Sequence, residues 1–174
     1  MGSRKSNHNS VKRKSIDKRR VKWDLWFLGL AQYISSASKD PSTKVGAVII
    51  DEKNRIVSTG YNGFAQGIED VESDLLNREI KYKKIIHAEM NAILFAKTSL
   101  DNKTLYTYPF LPCSRCASCV IQAGIKRIVS IEPTKDILLR WKDDLDLSIS
   151  MFVECGIEVC EYNILEVKNA NIPI

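Results

Sequence analysis

The pattern of apolar and polar positions predicts an alternation of helices and strands. Apolar residues recur at helical spacing in five segments, which indicates helices with one buried face. The predicted helices span residues 23–38, 74–82, 87–97, 113–123 and 136–155. In the first of them, Trp23, Trp26 and Phe27 form an apolar stripe that is expected to lie in the core. Five shorter apolar runs between them are rich in β-branched residues and predict strands. These runs span residues 45–50, 56–61, 105–108, 126–131 and 157–162.

The order of these segments predicts an α/β fold. Only the polar residues 51–54 separate the first two strands, so they are expected to form a hairpin. The later strands alternate with helices, which favours parallel pairing. The chain is therefore predicted to build a mixed sheet of about five strands with helices on both faces.

Composition narrows the class of protein. A chain of 174 residues with 44% hydrophobic and 27% charged residues suits one globular domain. No apolar run approaches the roughly 20 residues of a membrane helix, and the first 20 residues lack the apolar stretch of a secretory signal. Five cysteines, an odd number, favour reduced thiols or metal ligands over a disulfide framework. We therefore expect a cytoplasmic protein with no membrane partner.

The positive charge is concentrated at the start of the chain. Residues 1–22 hold nine Lys or Arg residues and one acid, whereas the remainder holds 17 basic and 20 acidic residues. We predict that residues 1–22 form a disordered basic tail and that residues 23–174 form the folded domain. Such a tail can contact nucleic acid, but it has no interleaved aromatic residues and the folded body is acidic, so a nucleic-acid partner is not favoured.

Two short motifs carry the candidate chemistry. The first is His87-Ala88-Glu89 and the second runs from Pro112 to Cys116, each at the start of a predicted helix. His87, Cys113 and Cys116 make a His/Cys/Cys ligand set, which leaves the fourth position of a tetrahedral zinc site open for catalysis. The combination of H-x-E with P-C-x-x-C is typical of zinc-dependent nucleobase deaminases.

The chemistry of such a site needs each of these residue types. Cys113 and Cys116 lie near a helix N-terminus, which favours thiolates. Two thiolates neutralise the formal charge of Zn²⁺, so a nearby base has to take the proton of the attacking water. Glu89, two residues from His87, is predicted to be that base and to return the proton to the substrate.

From about residue 23 to residue 162, the chain resembles the cytidine and deoxycytidylate deaminase superfamily, and the deoxycytidylate (dCMP) branch most of all. The matching stretches are residues 39–47, 60–63, 87–93 and 112–126. The resemblance implies a three-layer α/β/α fold and one zinc ion per subunit. It also implies conversion of dCMP to dUMP with release of ammonia, and a homo-oligomer.

The resemblance and the residue chemistry together name candidate substrate contacts. Asn62 offers a donor and an acceptor to the sugar or base, Ala88 offers its main chain to the pyrimidine edge, and Phe110 or Tyr108 offers a ring for stacking. Lys44 and Arg115 are candidates for a phosphate. Four further candidate cations lie in the polar segment 64–86, namely Arg78, Lys81, Lys83 and Lys84.

Some stretches depart from the dCMP form and leave the substrate open. Residues 108–112 and Arg115 do not match it, and residues 61–86 contain no Cys or His for the second zinc that some members carry. The alternatives are a dCTP or modified-dCMP deaminase, or a deaminase of the tRNA type with the basic tail as an anchor.

Overall fold

The computed structural model describes residues 18–169, which form seven helices and seven strands. The helices are α1 Lys18–Ser35, α2 Glu72–Leu76, α3 Arg78–Lys84, α4 Ala88–Phe95, α5 Ser114–Gln122, α6 Lys135–Glu154 and α7 Ile164–Asn169. The strands are β1 Gly46–Ile50, β2 Ile56–Tyr61, β3 Gly63–Phe64, β4 Ile85–Ile86, β5 Thr104–Tyr108, β6 Arg127–Ile131 and β7 Glu158–Tyr162.

The main sheet has five strands in the order β2-β1-β5-β6-β7. Strand β1 pairs antiparallel with both β2 and β5, whereas β5, β6 and β7 pair in parallel. The hairpin and the mixed five-strand sheet predicted from the sequence are therefore confirmed. The two-residue strands β3 and β4 form a separate small sheet, which the apolar pattern did not predict.

Side chains that alternate along the strands divide the core into two layers. In β1, Ala47 and Ile49 face a cluster built with α4, α5 and α6. Val48 and Ile50 face a second cluster built with α1 and α7. Because successive strand residues point to opposite faces, a strand that is buried throughout must be covered on both sides. The α/β/α layering is thereby confirmed.

Two glycines allow helices to approach the sheet closely. A Cβ at Gly46 would lie 2.0 Å from the carbonyl oxygen of Ala31 in α1. A Cβ at Gly60 would lie 2.3 Å from the carbonyl oxygen of Ala88 in α4. Any larger residue at Gly60 would therefore push α4 away from β2, and α4 carries one of the two sequence motifs.

The first helix corrects two expectations. It begins at Lys18, five residues before the predicted start and inside the predicted tail 1–22, while residues 1–17 lie outside the described residues. Its buried face contains Asp24 and Phe27, whereas Trp23 and Trp26 are exposed. Asp24 is drawn inward because Arg127, from β6, is there to pair with it.

The predicted helix 74–82 is in fact two short helices. Asn77 lies between α2 and α3, and its side chain accepts hydrogen bonds from the backbone of Glu79 and Ile80, so it caps α3. The last helix, α7, was not predicted. None of the helices among residues 18–169 is both long enough and apolar enough to cross a membrane.

Candidate active site

The two sequence motifs meet between the starts of α4 and α5. His87 and Cys113 are the N-cap residues of these helices, and Cys116 lies in the first turn of α5. The His87 Nδ1 atom is 3.4 Å from the Cys113 sulfur and 3.3 Å from the Cys116 sulfur. The ligand atoms of the three residues all lie within 4.8 Å of one another.

This spacing fits a tetrahedral metal. With Zn–S bonds of about 2.3 Å and Zn–N bonds of about 2.0 Å, nitrogen and sulfur ligands of one zinc ion lie about 3.6 Å apart. The observed separations of 3.4 and 3.3 Å are close to that value. Cys119, one turn beyond Cys116, is not part of the cluster among the described residues.

The thiols and the imidazole influence one another's protonation. The hydrogen bond with Cys116 lowers the pKa of Cys113 to about 4, and the same contact raises the pKa of Cys116. The hydrogen bond with Cys113 raises the pKa of His87 against the effect of burial. The three ligand atoms are thus close enough to share protons, and a divalent cation takes the place of such protons when it binds.

Glu89 lies in the first turn of α4 with only 3% of its surface exposed. Its Oε2 atom is buried and has no hydrogen-bond partner among the described residues. Burial raises the pKa of Glu89. Leaving a carboxylate oxygen buried and unpaired costs free energy, so this orphaned atom points to a proton-bearing partner bound in the site.

A cleft of about 330 Å³ opens over these residues. Its deep part is lined by His87, Glu89 and Cys113, all at least partly buried. Exposed residues of α3 and α6 also line the cleft, and we take them to form its mouth; they include Arg78 and Arg140. Its volume is at the lower end of the range for small-molecule sites.

Helix α6 holds the loop that carries the cysteines. Asp144 accepts hydrogen bonds from the backbone N–H of Ser114 at 3.0 Å and from its hydroxyl at 2.6 Å. One turn further along α6, Ser148 donates to the carbonyl oxygen of Pro112 at 2.6 Å. The residues on either side of Cys113 are thus fixed to one helix, which restricts where its sulfur can lie.

Asn62 lines the cleft, but its side-chain amide is already engaged. Its Oδ1 accepts from the backbone of Val45 at 2.7 Å, and its Nδ2 donates to the carbonyl oxygen of Thr43 at 2.9 Å. These bonds hold the segment before β1 against the end of β2. A role in substrate binding therefore has to coexist with this structural one.

Of the other residues predicted to contact the substrate, some line the cleft and some do not. Phe110 lines the cleft and also packs against the core, whereas Tyr108, considered as an alternative stacking ring, packs on the opposite face of the sheet. The side chain of Ala88 is fully buried in the core. Lys44 and Arg115 are exposed and do not line the cleft, so the structure does not bring them to the site predicted for a phosphate.

The cleft is lined by cationic side chains other than Lys44 and Arg115. Lys81 lines the cleft but is buried, and its Nζ atom pairs with Asp40 at 3.0 Å and with the Ser42 hydroxyl at 2.9 Å. Arg140 and Trp141 reach the cleft from α6 and were not assigned to it from the sequence. No local motif marks them, because their position depends on how α6 packs against α5.

A His/Cys/Cys cluster beside a buried carboxylate, under an α/β/α sheet, defines a zinc-dependent deaminase site. The chain belongs to this family, because the model of the cytidine and deoxycytidylate deaminase zinc-binding region matches residues 21–132. Zinc is therefore the cofactor of the protein.

Individual proteins resemble the chain over most of its length. An Aliivibrio fischeri protein described as a deaminase in the luxG 3′ region is 47% identical over 138 residues, which cover 79% of this chain and 92% of that protein. A Caenorhabditis elegans protein named "Probable deoxycytidylate deaminase" is 38% identical over 78% of this chain and 71% of its own length. The dCMP deaminase of cyanophage S-TIM5, solved with dCMP and dUMP, shares the fold with a TM-score of 0.61 at 23% identity, over 78% of this chain and 93% of that one.

Proposed function

We propose that this protein catalyses the hydrolytic deamination of dCMP to dUMP, with release of ammonia. The observation that carries the proposal is the buried, unpaired Oε2 atom of Glu89 beside the three ligand atoms at the deep end of the cleft. The 38% identity to a protein named as a deoxycytidylate deaminase supports dCMP as the substrate.

His87, Cys113 and Cys116 hold the metal in this proposal. Zinc in a site of this kind supplies a Lewis acid that makes a water molecule acidic enough to attack near neutral pH. Glu89 accepts one proton of the attacking water through its unpaired oxygen and passes it to the ring nitrogen, and it then takes the proton of the newly formed hydroxyl group and passes it to the leaving amino group. One water is consumed, a C–O bond forms at the pyrimidine carbon, the C–N bond breaks, and ammonia leaves.

The remaining contacts orient the pyrimidine nucleotide. Phe110, on the wall of the cleft, is proposed to stack on the base. Asn62 is proposed to contact the sugar from its fixed position at the end of β2, and the main chain of Ala88 is proposed to contact the edge of the base. The firm hydrogen bonds of Asn62 support a preorganised contact, because its amide cannot rotate freely.

The test is ammonia release from a panel of dCMP, dCTP, a 5-modified dCMP, deoxycytidine and single-stranded nucleic acid. The highest kcat/KM is expected for dCMP. A higher kcat/KM for dCTP or for the 5-modified dCMP would show that this nucleotide, and not dCMP, is the substrate. A preference for single-stranded nucleic acid would favour the tRNA-type alternative. No release from any cytosine compound by zinc-loaded protein would contradict the proposed function.

Metal analysis tests the ligands separately. About one zinc per chain is expected in the purified protein, and Cys113→Ala is expected to lose most of it. Cys155→Ala is the matched control, because Cys155 is an exposed thiol outside the cluster. Full zinc in Cys113→Ala would contradict the ligand assignment.

We also propose that the protein forms a homo-oligomer and acts in the cytoplasm. Leu94 and Phe95, at the end of α4, are 62% and 60% exposed, and such apolar side chains are suited to a subunit contact. Thiol ligands remain available in a reducing compartment. Sedimentation of the purified protein as a monomer at micromolar concentration would contradict the oligomer.

A further inference from the structure

Two arginines at the mouth of the cleft have no carboxylate partner among the described residues. Arg78 and Arg140 both line the cleft and both are exposed. By contrast, the buried cation in the same cleft, Lys81, is paired with Asp40, and the side chains of that pair are each only 7% exposed. The charges of the two arginines are therefore available to an anion, whereas the charge of Lys81 is already used.

The side chains of both arginines are held in a way that leaves their outer donors free. Arg78 donates through Nε to the Tyr82 hydroxyl at 2.9 Å, and its guanidinium carbon is 5.2 Å from the centre of the Tyr82 ring. Arg140 donates through Nε to the carbonyl oxygen of Asp136 at 3.2 Å. In each case the terminal nitrogens, which bind phosphate oxygens best, have no partner among the described residues.

Negative and positive side chains lie at opposite ends of the cleft. Glu89 is the single carboxylate among the described residues that line the cleft, and it lies at the deep end, with the arginines at the mouth. A ligand with a neutral base at one end and an anionic group at the other fits this gradient in one orientation only. The base then reaches Glu89 and the anion remains between α3 and α6.

We propose that Arg78 and Arg140 bind the phosphate of the nucleotide and make the enzyme selective for a nucleotide over the nucleoside. This inference rests on the proposed function and assigns residues that the sequence motifs do not cover. Arginine suits the task because its planar fork stays charged and can form two parallel hydrogen bonds with one phosphate.

The decisive experiment compares dCMP with deoxycytidine in Arg78→Gln, Arg140→Gln and the double variant. Each single change is expected to lower kcat/KM for dCMP about tenfold, and the double change about a hundredfold or more, from the loss of charge-assisted hydrogen bonds. The kcat/KM for deoxycytidine is expected to change less than about twofold. Lys83→Gln and Lys142→Gln are matched controls, because they remove exposed charges from the same two helices outside the cleft.

Equal losses for dCMP and deoxycytidine would overturn the proposal, since the arginines would then act on folding or catalysis rather than on the phosphate. Equal kcat/KM values for the two substrates in the unchanged protein would also overturn it.

Calorimetric titration of the zinc-loaded protein with dUMP and deoxyuridine separates this inference from the proposed function. If no cytosine compound is deaminated, the proposed function fails, but weaker dUMP binding in the double variant would still support the phosphate contact, and unchanged binding would reject it.

Discussion

A buried polar cluster lies on each face of the sheet, and the two clusters differ in how completely their buried carboxylate is paired. We call His87, Glu89, Cys113 and Cys116 the metal-ligand cluster, which lies on the side of α4 and α5. We call Asp24, Tyr106, Arg127 and Tyr162 the Asp24 cluster, which lies on the side of α1.

In the Asp24 cluster both carboxylate oxygens of Asp24 are hydrogen bonded. They accept from Tyr106 at 2.8 Å, from Tyr162 at 2.9 Å, and from the two terminal nitrogens of Arg127 at 2.7 and 2.6 Å. Burial opposes the charge of Arg127, but its hydrogen bonds to Asp24 outweigh that effect and raise its pKa. Burial also raises the pKa of both tyrosines, so they remain neutral donors.

In the metal-ligand cluster the balance is different. Glu89 Oε2 has no hydrogen-bond partner among the described residues, and the three ligand atoms lie within 4.8 Å of one another. A buried polar group that is fully paired stabilises or specifies the fold, whereas one that is left unpaired persists only if something else gains from it. The Nε atom of Arg127 is also buried without a hydrogen bond, but the charge of Arg127 is paired with Asp24 and, at 3.5 Å, with Glu158. What separates the structural cluster from the functional one is therefore the pairing of the buried carboxylate, which is complete at Asp24 and incomplete at Glu89.

The largest expected effect is on activity in Glu89→Gln. The amide is nearly isosteric but cannot accept and return a proton, so kcat is expected to fall about 10²–10⁴-fold. Zinc content and the free energy of unfolding are expected to stay close to those of the unchanged protein. Glu154→Gln, at the exposed end of α6, is the control for the loss of a carboxylate. Turnover within about threefold of normal would show that another residue carries the proton.

The next effect is on stability in Asp24→Asn. The change removes the carboxylate that pairs with Arg127 at 2.6 Å and leaves that arginine, among the described residues, only the half-exposed carboxylate of Glu158 at 3.5 Å. The free energy of unfolding is therefore expected to fall by about 3–5 kcal/mol. Urea denaturation measures this, and activity per folded molecule is expected to be retained. Tyr162→Phe removes one donor only and is expected to cost about 1–2 kcal/mol. A clear loss of activity in folded Asp24→Asn would show that the Asp24 cluster also supports catalysis.

Asp144→Asn is expected to have an intermediate effect on metal binding. Asp144 accepts two hydrogen bonds from Ser114, next to Cys113, and an amide can accept them only through its one oxygen. Supporting contacts of this kind commonly change metal affinity about 10–100-fold, and we expect the lower end of that range. Competition with a zinc chelator measures it, with the neighbouring, exposed Asp143→Asn as control. Equal zinc affinity in the two variants would show that α6 does not position the ligands.

The smallest effect is expected for Arg20→Gln. Arg20 pairs with Glu158 at 2.6 Å beside the Asp24 cluster, but the two side chains are 47% and 54% exposed. An exposed ion pair contributes less than about 1 kcal/mol, because water and salt screen it. A shift in the urea midpoint comparable to that of Asp24→Asn would show that exposure does not distinguish these two neighbouring pairs.

The sequence by itself determined the elements and the chemistry that depend on local order. The five strands of the main sheet agree with the observed ones to within a residue at each end, because each strand is a short run of apolar, β-branched residues. The metal ligands could be predicted for the same reason. Each motif lies at the start of a helix, so the spacing within it fixes which side chains lie together.

The tertiary structure alone decided which charges are buried and which residues reach the cleft. Nothing within residues 18–35 shows that Asp24 turns inward while Trp23 and Trp26 stay exposed, because its partner Arg127 lies on another element, β6. Arg140 similarly reaches the cleft only because α6 packs on α5, whereas Arg115, which lies inside the second motif, remains outside it. Local spacing fixes periodicity and ligand sets, but a contact between distant elements depends on packing that no single segment encodes.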